Sequence, residues 1–128
     1  MANIHAEEGA HKWFFPDGYL PSPNTEGSLQ SHEALMILNT CNEAANVKID
    51  IYFEDRDPVK GIPLRVGAER VYCIHMDQPE QLNGAAVPPL TQYALRLTSD
   101  RKVIVQFGRL DATQPNLAYY CTIGYATD

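Results

Sequence analysis

The sequence lacks a basic stripe, a long apolar run, an internal repeat and a paired cysteine motif, and each absence removes a class of protein. Its formal net charge is −6 and its pI about 5.1. A surface that neutralises phosphates needs clustered Lys and Arg, so nucleic acid is set aside as a partner. No stretch approaches the roughly 20 apolar residues of a membrane span. The opening residues carry Glu7 and Glu8 where a secretory leader has a positive flank followed by an apolar run, so a soluble, cytoplasmic protein is expected. Three cysteines, Cys41, Cys73 and Cys121, are odd in number and form no C-x-x-C pair, which predicts reduced thiols. His5, His11, His32 and His75 show neither H-x-H nor H-E-x-x-H spacing, and Asp55 and Asp57 lack the glycine and distal glutamate of a calcium loop. No metal and no cofactor is therefore expected. No segment holds a helical period over three turns.

What is present is alternation. Val47, Ile49, Ile51 and Phe53 lie on one side of an extended segment, with Lys48, Asp50, Tyr52 and Glu54 on the other, as in a strand with one buried face. A chain of 128 residues is sized for one core. Strands are expected at residues 12–15, 29–39, 47–53, 62–66, 70–75, 93–98, 103–110 and 118–126, the third and fourth pair reversing at Asp57-Pro58 and the next two forming a hairpin across Gly67. Residues 16–24 read as a long surface loop, residues 76–89 as an irregular excursion rich in proline, and Ser99-Asp100-Arg101-Lys102 as a charged turn. Residues 1–10 are taken as a flexible tail and residues 11–128 as the folded unit. The predicted class is all-β, a single-domain antiparallel β-sandwich of about eight short strands. The strand around Ala34, Met36 and Leu38 is apolar on both sides, which predicts a covering partner on its second face.

Ser31-His32-Glu33 contains the letters of a hydrolase triad, but neighbours on a strand point to opposite faces, so His32 cannot bond both as a triad requires. His32 and Glu33 remain as polar residues where a strand leaves a loop, with structural hydrogen bonds the first reading. Arg109 and Asp111 share a face at i and i+2; an ion pair holding the strand end is set against a guanidinium aimed at a carboxylate or sugar hydroxyl. Gln106 on the same strand suits similar recognition. Trp13 is either a stacking platform for a sugar ring or a plug for one end of the sandwich.

In order along the chain, Trp13, Asp17-Gly18-Tyr19-Leu20-Pro21, Ser31-His32-Glu33 with Ile37-Leu38-Asn39, and Val47-Lys48-Ile49-Asp50-Ile51-Tyr52 resemble the sensory rhodopsin transducer family. Asp57-Pro58, Glu69-Arg70, Val103-Ile104-Val105-Gln106, Arg109-Leu110-Asp111 and Thr122-Ile123-Gly124-Tyr125-Ala126 continue the match over residues 11–127. The resemblance implies a β-sandwich protomer that assembles as a homotetramer, a non-enzymatic signalling role, and a membrane receptor such as a sensory rhodopsin as partner. It also implies small, sugar-like molecules as ligands. Its polar positions kept here are Trp13, His32, Glu33, Asn39, Arg70, Gln106, Arg109 and Asp111, which form the expected ligand or interface set. The competing function is a carbohydrate-binding or carbohydrate-processing domain, with Trp13 stacking and Glu33, Asp111 and Arg109 bonding hydroxyls. Catalysis there needs two carboxylates facing one cleft about 5 to 10 Å apart.

Overall fold

The longest element is a single strand of 20 residues, β6 (Gln92–Asp111), and the rest of the fold is arranged around its two halves. The structure, a computed structural model, describes residues 8–23 and 29–128. Eight strands are formed: β1 (Ala10–Tyr19), β2 (His32–Asn39), β3 (Ala45–Phe53), β4 (Val59–Val66), β5 (Arg70–His75), β6, β7 (Ala118–Ile123) and β8 (Tyr125–Thr127). All pairings are antiparallel. The first half of β6 lies between β3 and β1 in an arm ordered β4-β3-β6-β1-β8, called arm A. Its second half lies between β2 and β7 in an arm ordered β5-β2-β6-β7, called arm B. The all-β antiparallel class read from the sequence is thus what forms, as one continuous sheet bent through β6.

One core fills the space between the arms. Val47, Ile49, Ile51, Leu95 and Leu97 of arm A and Leu35, Ile37, Ile74, Val105 and Phe107 of arm B are all buried in it. The rings of Phe15 and Phe107 meet across it at 5.9 Å.

Three features depart from the sequence expectations. Residues 99–102 are not a turn: β6 runs through them, and the break survives as an irregularity against β1, where Ala10 pairs with Val103 and Lys12 with Thr98. The charges there are held by neighbours. Asp100 accepts from the Asn46 backbone N–H at 2.8 Å and from its amide at 3.0 Å, and Arg101 pairs with Glu43. Second, β4 and β5 are no hairpin. β4 pairs with β3 and β5 with β2, so residues 67–69 carry the chain from arm A to arm B, as residues 40–44 carry it from B to A. Third, Pro16 does not open a loop; β1 continues to Tyr19 past a bulge between Phe15 and Gly18, where a proline lacking an N–H is tolerated. The expected loop's Asn24 lies outside the described residues, as do residues 1–7 of the expected tail. The excursion at residues 76–89 folds inward: Met76 and Leu82 are fully buried, so it seals one end of the core.

Candidate functional site

Alternation along β2 sends Glu33 inward and His32 outward. Glu33 is 0% exposed, and a buried carboxylate is tolerable only when donors surround it. They do. Arg109 Nε donates at 2.8 Å from the residue cross-strand to Glu33, the Tyr93 hydroxyl donates at 2.7 Å, and the Tyr19 backbone N–H reaches both oxygens at 3.1 and 3.0 Å. Burial, then the adjacent carboxylate, pushes the Tyr93 phenol far up, so it stays a proton donor. For Arg109, burial opposes the charge, but the hydrogen bond and charge of Glu33 overcome it and hold the guanidinium firmly protonated. The same guanidinium lies 5.1 Å over the Tyr120 ring and donates at 3.3 Å to the Asp17 carbonyl. One buried pair therefore ties together the β1 bulge, β2, β6 and β7.

Beside this network the arms part along β7. A cleft of about 450 Å³ opens there, walled by Phe14, Phe15, Phe107 and Tyr120, with Asp17 and Thr122 as polar lining. Arg109 stands behind Tyr120, and its outer nitrogen is 3.7 Å from the Asp17 carboxylate. An aromatic wall ending in the Asp17 carboxylate suits a small ligand with an apolar face and a polar end.

The expected site residues fall into separate places. Glu33 and Arg109 meet as described. Trp13 is 4% exposed, and its indole N–H donates to the Val103 carbonyl at 2.9 Å, so its ring is part of the core. Asn39 is also fully buried: its amide donates to the carbonyls of Glu43 (2.9 Å), Val66 (3.3 Å) and Gly67 (3.1 Å), and its oxygen accepts from Cys41 N–H (3.0 Å). It stitches the two inter-arm crossings together. Arg70 lies on the edge strand β5 and donates to the carbonyl of Glu69. Gln106 and His32 lie on the outer face of arm B. Asp111 does not pair with Arg109, whose carboxylate partner is Glu33; it accepts instead from the backbone and hydroxyl of Thr113, which hold its pKa below the usual range. Tyr93, Asp17 and Tyr120 belong to the network but are not among the expected site residues. The signal available was Glu33 itself, since an acid inside an apolar strand demands donors. Among the described residues no three His, Cys, Asp or Glu side chains converge to hold a metal.

The outer face of arm B is a further candidate surface. Register places Leu38 between Val71 and Ile104, and Met36 between Cys73 and Gln106, with Ile123 beyond Gln106. Val71 is 65% exposed, Tyr119 64%, Ile123 61% and Leu38 39%. Both rim strands, β5 and β7, have one free edge.

Fold and site together define a class: an antiparallel β domain whose buried charges are spent on holding its own arms together, with an aromatic cleft at one edge and an apolar outer face. A family model described as Anabaena sensory rhodopsin transducer matches residues 8–126. The chain belongs to that sensory rhodopsin transducer family. Two solved structures agree. A crystal structure of Thermotoga maritima 1070 is 34% identical, with a TM-score of 0.83, covering 94% of this chain and 97% of that one. The Anabaena sensory rhodopsin transducer is 33% identical, with a TM-score of 0.71, covering 84% of this chain and 94% of that one. Among curated protein sequences none matches.

Proposed function

We propose that this chain is a non-enzymatic, cytoplasmic signalling module that self-associates as a homotetramer and docks on a membrane receptor of the sensory rhodopsin kind. The observation that carries it is the outer face of arm B. Exposed apolar residues are common singly, but Val71, Leu38 and Ile104 form a row with Met36 beside it and Ile123 across Gln106, and such groupings mark interaction surfaces. Family membership supports the receptor: the Anabaena relative is named as a transducer of a sensory rhodopsin. No helix among the described residues is long and apolar enough to cross a membrane. Light scattering on the purified chain at micromolar concentration is expected to give a tetramer, and Leu38→Glu with Val71→Glu a smaller species with an unchanged circular dichroism spectrum. A monomeric wild type overturns the reading.

A second reading, a small sugar-like ligand, is favoured by the aromatic cleft. It predicts a thermal shift with a binding sugar that Tyr120→Ala abolishes. A sugar screen without any shift removes it.

A further inference from the structure

We infer that His32 and His75 form a binding site for a transition-metal dication of the Zn²⁺, Ni²⁺ and Cu²⁺ group at the rim of arm B. The two rings lie side by side with centroids 4.8 Å apart and planes at 47°. Two imidazoles bound to one tetrahedral ion at metal–nitrogen distances of about 2.0–2.1 Å have ring centres roughly 5 Å apart, so the pair is already spaced for a shared ion. Each Nδ1 faces an acceptor. In His32 it lies 3.2 Å from the Gln30 carbonyl, and in His75 it lies 3.7 Å from the Asp77 carboxylate. The Gln30 carbonyl at Nδ1 of His32 holds the proton there and leaves Nε2 as the lone-pair donor, while the Asp77 carboxylate, beyond hydrogen-bond reach, biases His75 the same way through its charge.

Among the described residues these rings meet each other, the Gln30 carbonyl and the Asp77 carboxylate, and stand apart from the buried network. Glu33 carries the inward network, while His32 and His75 lie half-buried on the outer side, His75 on the edge strand β5. The two imidazoles are the protein ligands, and water completes the coordination sphere. Its ordering of metals follows imidazole chemistry, with Cu²⁺ bound most tightly.

The test is titration of the untagged, chelator-treated full chain with CuCl₂ and ZnCl₂ by calorimetry, together with copper electron paramagnetic resonance. One ion per protomer at micromolar affinity is expected, with hyperfine splitting from two nitrogens. His32→Gln and His75→Gln are each expected to weaken binding at least tenfold, and Asp77→Asn severalfold, with melting curves unchanged. A His5→Gln/His11→Gln variant controls for the other histidines and is expected to bind as wild type. The proposal is overturned if the wild type shows no binding or fewer than two nitrogens on copper, if His32→Gln or His75→Gln binds as tightly as wild type, or if the His5→Gln/His11→Gln variant loses the site. The wild-type spectrum decides even if a variant misfolds.

Discussion

Arg109→Met is the sharpest test of the buried network. The substitution keeps much of the apolar stem but removes the cation from a carboxylate that is 0% exposed and accepts from Arg109 at 2.8 Å. Removing one partner of a buried pair costs about 3–5 kcal/mol, because the remaining charge stays desolvated. Here Tyr93 O–H and Tyr19 N–H remain as donors to Glu33. The loss therefore belongs at the lower end, about 3 kcal/mol, or roughly 10–15 °C in Tm for a chain of this size. Urea unfolding at pH 7, at one fixed protein concentration because association also stabilises, measures it. Adding Glu33→Gln to Arg109→Met is expected to recover about half of the loss, since the uncompensated charge is gone. A loss below about 1 kcal/mol, or a double variant no more stable than Arg109→Met, refutes the account of this pair as a buried charge in need of its partner.

Asn39→Ala strips the amide that serves three carbonyls and one N–H at the crossings between arms, and is expected to cost about 2–4 kcal/mol. Hydrogen exchange is expected to speed up in residues 40–44 and 67–69 together; loss of protection in only one of them contradicts the stitching role. Asp100 is mildly desolvated, which raises its pKa, but the Asn46 donors and Arg101 outweigh that and leave it lowered. A lowered folded-state value stabilises above about pH 3.9 and is lost as pH falls through it. Asp100→Asn is therefore expected to lower stability slightly at pH 7, well under 1 kcal/mol for so exposed a group, and not at pH 2. An equal effect at both pH values assigns the role of Asp100 to its shape and not its charge.

Strand identity was legible wherever one face is buried, as in β3, because alternation reports burial directly. Pairing was not. Residues 62–66 and 70–75 looked like a hairpin because a short linker with Gly67 joins two strands, yet the chain changes arms there. What decides it is Asn39, 28 residues from Gly67, whose amide binds the ends of both crossings. Such a contact leaves no mark near the linker. The charged run at 99–102 misled for a related reason: polar residues signal a turn only when water is their partner, and here Asn46, Glu43 and Asp128 take that part. The site was half legible. An acid among apolar residues at Glu33 announced a network, but which base answers it depends on register between β2 and β6, and register depends on the whole sheet.

Polarity is divided unevenly between the inside and the outside of the protomer. The buried Glu33 and Asn39 are matched inside the protomer: Glu33 by Arg109, Tyr93 and Tyr19, and Asn39 by the crossings. Arm B inverts the usual arrangement, presenting apolar residues outward on β2, β5 and β7 while spending its one buried ion pair inward. Burying an ion pair gains little stability over well-packed apolar residues, but it fixes a unique geometry, since a slip of register by one residue leaves both charges unmatched. The network therefore acts as a register pin for arm B and sets the positions of the side chains on its outer face.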